Sequence, residues 1–183
     1  MTTNRNITLL MAVVIVSFAF ACSGNKPSTT PGQSAQSQKT QAQPNAPAAL
    51  PNTAFKAEIS LVNPPAKLRA GQKETVRVKI KNASNEMWWA RGAPVNTRPD
   101  NRFYIATGDR WLKADGSLVT DMDGRYGLGK DLRPGEETEV PLGITAPKDP
   151  GEYTLEVDLV QEQVAWFREK GSPTAKVKVT VTK

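Results

Sequence analysis

From Phe55 onward, apolar and polar residues alternate with the period of two that a half-buried β-strand imposes. The stretch KAEISLV puts Ala57, Ile59 and Leu61 on one face. In ETVRVKIKN, Val76, Val78 and Ile80 turn inward while Arg77, Lys79 and Lys81 turn outward. ETEVPLGIT repeats this with Val140, Leu142 and Ile144, and Pro141 on the opposite face predicts a sheet edge or a bulge. GEYTLEVDL offers Tyr153, Leu155, Val157 and Leu159, and AKVKVTV offers Val177, Val179 and Val181. Turn signals separate the runs: NPP at Asn63, AGQ at Ala70, ADG at Ala114, RPGE at Arg133, KDPG at Lys148 and KGSP at Lys170. Short amphipathic runs at even spacing predict an all-β antiparallel sandwich over residues 55–183, and no stretch of eleven residues keeps a helical apolar stripe.

Ahead of the sandwich the pattern changes twice. Residues 1–6 are polar with one positive charge, Arg5, and residues 7–21 (ITLLMAVVIVSFAFA) are almost wholly apolar. Fifteen helical residues would span roughly 22 Å, short of the roughly 30 Å hydrocarbon core. A charged start, a short apolar run and small residues at its end predict a secretory signal peptide over 1–21. Ala19, Phe20 and Ala21 also fit an A-x-A cleavage site. Cys22, the only cysteine, follows directly. Residues 23–54 then hold five prolines, five glutamines and four serines with no aromatic residue. Such a composition cannot bury enough apolar surface to offset its ordering entropy, so 22–54 is expected to be a disordered tether, reaching roughly 30 Å.

Composition narrows the chemistry. The chain has 24 Lys and Arg against 18 Asp and Glu, and no histidine. From Phe55 onward the balance is 21 to 18, and the excess is spread out, so no nucleic-acid partner is expected. With no histidine and one cysteine there is neither a nucleophile–base pair nor a thiolate metal set, so no catalytic residue, metal or cofactor is expected. TDMDGRYG, from Thr120, places Asp121 and Asp123 as calcium loops do, but Gly124 comes too early and no closing glutamate follows, so metal is only a minor alternative. It is read as a turn.

Cys22 followed by Ser23 and Gly24 resembles the lipobox of bacterial lipoproteins, with Ala19 where leucine is usual and Phe20 where a smaller residue is usual. The resemblance implies a diacylated Cys22, a palmitate-type anchor in the cell envelope and, through Ser23, the outer membrane of a two-membrane cell. Two acyl chains give stable anchoring where one does not. The folded part has a tryptophan pair at Trp88 and Trp89, RWLKADG from Arg110, LRPGE from Leu132, APKDPGEY from Ala146 and DLVQEQVAWF from Asp158. In this order they resemble an immunoglobulin-like accessory domain found beside bacterial glycosyltransferases and in exported bacterial proteins. The resemblance implies a fold and a binding role, and no catalytic residues. It usually has glycine where this chain has Gln163, so a different turn is expected there.

The aromatics carry the remaining expectation. Neighbours on a strand point to opposite faces, so Trp88 and Trp89, or Trp166 and Phe167, cannot both enter the core. Extending the inward phase past Leu159 would bury Gln161 and Gln163, so a bulge or turn is expected there. Whichever of Trp88, Tyr104, Trp111, Tyr126 and Trp166 stay outside would form a platform for a sugar or a protein; buried tryptophan, a hallmark of such sandwiches, competes for the same residues. The expected function is a non-catalytic, lipid-anchored envelope protein binding a protein or glycan. The alternatives are an accessory module of a polysaccharide-acting enzyme system, or a structural subunit of an envelope complex.

Overall fold

The computed structural model describes residues 46–91 and 99–183, so the leader, Cys22 and most of the tether lie outside the described residues. Among the described residues, strands β1 (Ala57–Val62), β3 (Lys73–Asn82) and β6 (Glu137–Thr145) form one sheet, in the order β1-β3-β6. The second sheet runs β2 (Lys67–Arg69), β9 (Ala175–Thr182), β7 (Gly151–Gln161), β4 (Ile105–Lys113), β5 (Leu118–Gly127), with β8 (Ala165–Trp166) beside β7. Every pairing is antiparallel except β2 with β9. The fold is an immunoglobulin-like β-sandwich.

The inward residues of the alternating runs are the core: in the small sheet Val76 pairs with Leu142 and Val78 with Val140, flanked by Ile80 and Ile144, and Leu155, Val157 and Leu159 line the large sheet. Pro141 lies on β6, an edge strand, where its missing N–H costs no ladder bond. The outward side of the small sheet carries the ion pairs Arg77–Glu139, Lys79–Glu137 and Lys81–Glu58. Exposed pairs of this kind contribute under about 1 kcal/mol each. They keep the face wet rather than hold it together.

Two devices of immunoglobulin-like sandwiches are present without a disulfide. Trp111 on β4 is fully buried, its ring 6.4 Å edge-on from that of Tyr153. Tyr153, the third residue of β7, follows the bend at Lys148–Asp149 and donates its hydroxyl to the Asp149 carbonyl at 2.9 Å. This is a tyrosine corner, and it gives the APKDPGEY motif its structural role. At the other end of the sandwich Phe167 meets Phe55 and Trp88 edge-on, each at 5.0 Å between ring centres.

The packed unit reaches back past Phe55. Leu50 lies against the core and Ala54 is fully buried in a short 3-10 turn over Asn52–Ala54. Residues 46–55 form a strap across this end of the sandwich. Its grip is Gln161, which is buried contrary to expectation. Its Oε1 accepts the Leu50 N–H at 2.9 Å, and its Nε2 donates to the carbonyls of Ala48 at 2.8 Å and Phe103 at 3.0 Å. A saturated amide can be buried where a bare one cannot. The expected turn follows at once, with Gln163 at φ 58°, the left-handed conformation that favours glycine.

The two sheets touch where β5 bulges toward β6. Gly108 pairs with Arg125 and Arg110 with Asp121, so Asp109 alone faces three residues of β5. At the crest sits Gly124, where a Cβ would fall 2.0 Å from the Gly143 carbonyl oxygen and 2.7 Å from Asp109 Oδ1. The DG pair, read from sequence as a turn, instead lies inside β5 at a seam between the sheets. Gly143, on the other side, has open space where its Cβ would be. Gly124→Ala is therefore expected to lower stability by about 3 kcal/mol or more, since backbone cannot yield as a side chain does. Gly143→Ala is expected to shift the urea midpoint little, and equal effects of the two would contradict the seam.

Candidate binding surface

The five aromatics expected to make a platform do not come together. Trp88 and Trp111 are fully buried and belong to the core, a correction to their candidacy. Trp88 exchanges both backbone hydrogen bonds with Leu132 at 2.9 Å, which turns its indole under the Phe55–Phe167 pair, and Nε1 reaches the Ala54 carbonyl at 3.4 Å. Trp111, near the end of β4, lies on its inward phase between the sheets. Tyr126 is half-buried against the core. Tyr104 and Trp166 are half-buried in two separate settings.

Trp166 is a lid on the outward side of the large sheet. Its ring packs on Ala106 and Val160 and covers Gly108, where a Cβ would meet the ring at 2.6 Å. The guanidinium carbons of Arg168 and Arg125 lie 4.4 and 4.8 Å from the ring centre. Each arginine is held by a buried acid: Arg168 by Asp158 at 3.1 Å and Arg125 by Glu162 at 3.0 Å. Burial pushes both carboxyls up from their ordinary values, and each arginine opposes the shift. Next along the same face, Glu156 takes Arg110 at 2.6 Å, Thr174 at 2.6 Å and Lys176 at 3.5 Å. Burial would raise Glu156 too, but its partners win and hold it below the ordinary range. The DLVQEQVAWF motif is therefore a clamp: Asp158 and Glu162 fix the arginines that frame Trp166, while Gln161 fixes the strap.

At the strap end sequence reasoning named Tyr104 and the tryptophan doublet but missed Phe103. Trp89, Phe103 and Tyr104 are half-buried there, and the Ile105 N–H bonds the Trp89 carbonyl at 2.9 Å. Arg91 lies over Tyr104 at 5.7 Å and pairs with Asp100 at 3.0 Å, while Arg102 lies over Phe103 at 4.5 Å. Phe103 has φ 73°, costly for a residue with a side chain. Its N–H is fixed by the Glu162 carbonyl at 3.0 Å and its carbonyl by Gln161. The WW doublet signals that one indole points out; nothing in the local sequence signals Phe103.

A carboxyl pair lies in the β5–β6 seam. Asp109 is buried, and its Oδ1 accepts the Gly124 N–H at 2.8 Å. Burial first, then the hydrogen bond and charge of neighbouring Asp123, push its acid up to about 8. Asp123 itself is exposed and lines a groove of about 530 Å³ with Lys73, Glu74, Thr75, Gly143 and Thr145. The inner acid is sealed from this groove, which leaves the pair unsuited to proton transfer on a bound substrate.

No family model and no curated protein matches the chain in sequence. Among solved structures it is similar to the CARDB domain of a Pyrococcus furiosus protein, solved with di-metal ions. That match has 15% identity and a TM-score of 0.40, over 69% of this chain and 86% of that one. A β-glucosidase from Listeria innocua, solved with glucose, matches at 17% identity and TM-score 0.40, over 70% of this chain but 16% of the enzyme. The sporulation control protein Spo0M from Bacillus subtilis matches at 15% and 0.37, over 70% of this chain and 49% of its own. At these values the likeness extends to the sandwich and to nothing those proteins bind. Among the described residues no helix is long and apolar enough to cross a membrane.

Two outcomes are expected. Gln161→Leu leaves three backbone groups without their partner, so it should cost roughly 1–3 kcal/mol and speed amide exchange at Leu50 before that of β7. Unchanged exchange at Leu50 would show that the strap is held by something else. Asp109, whose folded acid is weaker than its unfolded one, keeps a proton that the unfolded chain releases. Its contribution is complete below about pH 4 and is lost as the pH rises to about 8. Asp109→Asn keeps an acceptor for Gly124 and a donor toward Asp123, so its unfolding midpoint should vary less over that range than the wild type's.

Proposed function

We propose that this is a non-catalytic binding module, lipid-anchored to the cell envelope through Cys22, that takes a protein or glycan partner at the strap end of its sandwich. The observation that carries the reading is Phe103: an aromatic side chain held at positive φ, half-exposed beside Trp89 and Tyr104. Backbone strain at a non-glycine persists only where surrounding structure enforces it, and it concentrates at ligand-contacting positions. Here Gln161 and Glu162 enforce it from a rigid strand end. The flanking Arg91 and Arg102 supply donors suited to sugar hydroxyls or to peptide carbonyls. The anchor supports the same end, because the tether enters the fold through the strap.

A second reading, docking by a sheet edge, is favoured by Leu118 and Val119. Both are exposed at the start of edge strand β5, where a bare apolar edge invites another strand.

The test uses the full chain, immobilised and exposed to detergent-solubilised envelope, with retained protein and carbohydrate measured separately. Trp89→Ala and Phe103→Ala are expected to cut retention at least tenfold, while Leu118→Ser leaves it unchanged. Loss with Leu118→Ser alone would transfer the site to the β5 edge. In cells, Cys22→Ser should move the protein from the membrane fraction to the soluble one; a variant that stays membrane-bound would remove the anchor.

A further inference from the structure

Residues 46–51 are held to the sandwich as a bound peptide is held, by side chains rather than by a ladder. No strand among the described residues pairs with them. One buried amide takes the ladder's place: Gln161 accepts the Leu50 N–H at 2.9 Å and donates to the Ala48 carbonyl at 2.8 Å. It meets the carbonyl before Ala49 and the N–H after it, backbone groups that almost any residue supplies.

The segment itself is set to be extended. Pro47 and Pro51 fix their own φ, and each turns the residue before it, Ala46 and Leu50, away from the helical region. Pro51 has φ −64° and ψ 151°, the polyproline II conformation. That helix has three residues per turn, so every third side chain shares a face. Pro47 and Leu50 are half-buried while Ala46, Ala48, Ala49 and Pro51 are exposed, which is the same period. Leu50 packs on the core.

The seat is oriented independently of its occupant. Gln161 Nε2 also donates to the Phe103 carbonyl at 3.0 Å, and the Phe103 N–H is fixed by the Glu162 carbonyl at 3.0 Å. Neither bond involves the strap, so the amide keeps its plane when the strap leaves. One acceptor and one donor then stay aimed at an incoming backbone, and buried polar groups of this kind take a partner.

We propose that the Gln161 seat is a binding site for a proline-containing polyproline II peptide, with an apolar residue three positions after the proline, and that the strap is its occupant in cis. The site is the Gln161 amide and the places taken by Pro47 and Leu50; it does not rest on a role for the ring faces of Trp89, Phe103 and Tyr104. Such peptides enter binding already ordered, so little entropy is lost. Backbone bonds supply affinity, and Pro47 and Leu50 supply selectivity. A strap tied to the fold at Ala54 acts at an effective concentration in the millimolar range, so it shields the seat from weak competitors and yields to a better ligand.

The test is fluorescence anisotropy of a labelled peptide of residues 44–51 (PNAPAALP) titrated with the full chain. Leu50→Asp in the chain empties the seat without touching a ladder. Leu50→Ser is the milder second variant, and wild-type amide protection along β7 shows that either is folded. Saturable binding to the Leu50→Asp chain is expected, and binding to the wild type, whose strap competes, should be at least tenfold weaker. A peptide methylated on its leucine nitrogen, which lacks the N–H that Gln161 accepts, should also bind at least tenfold more weakly. No saturable binding to either folded Leu50 variant would overturn the site. So would equal binding to the wild type, or a methylated peptide that binds as well as the unmodified one.

Discussion

A strand buried on both faces must find a partner for every polar group it carries, and β7 is such a strand. One side of it packs between the sheets; the other carries Glu156 and Asp158, with Gln161 and Glu162 at its end, all buried. Each of the four recruits something from elsewhere in the chain: Arg110 and Lys176, Arg168, the 46–50 strap, and Arg125. The lid over Gly108, the strap and the strained Phe103 all derive from this. Remove the second layer of burial and the four polar side chains would be ordinary surface residues. With it, they are the joints of the molecule.

The same constraint marks where the sequence is readable. Strands β1, β3, β6 and β9 face solvent on one side, so their alternation survives, and their inward residues are legible one by one. Along β4, Ile105, Ala106, Thr107, Gly108 and Asp109 are all buried, because Trp166 covers the outward face. A run buried on both sides has no period, so β4 was legible only through its RW motif. Gln161 shows the limit most clearly. Its burial looked unfavourable because its three partners lie up to 113 residues away, and distance along the chain hides them. Trp88 and Trp111 were recognisable as aromatics that must choose a side; which side depends on Leu132 and Tyr153, neither of them neighbours in sequence.

The two chemically unusual places lie apart and differ in kind. At the strap end, rings and guanidinium groups lie around a residue of strained backbone. At the β5–β6 seam, oxygens crowd around a glycine that permits the two sheets to touch. The sandwich gives each a rigid base, with β7 and β4 behind one and the edge of β6 behind the other.

The strap has a mechanical meaning as well. Any pull on the chain ahead of Ala46 reaches the two bonds from Gln161 before it reaches a β-ladder. Those bonds load one after the other, Ala48 then Leu50, so the strap peels rather than shears. A load too small to unfold the sandwich would lift the strap from Gln161 and free the carbonyl of Phe103 from its neighbour on the same amide. The strap and the strained backbone at Phe103 are thereby joined through a single side chain.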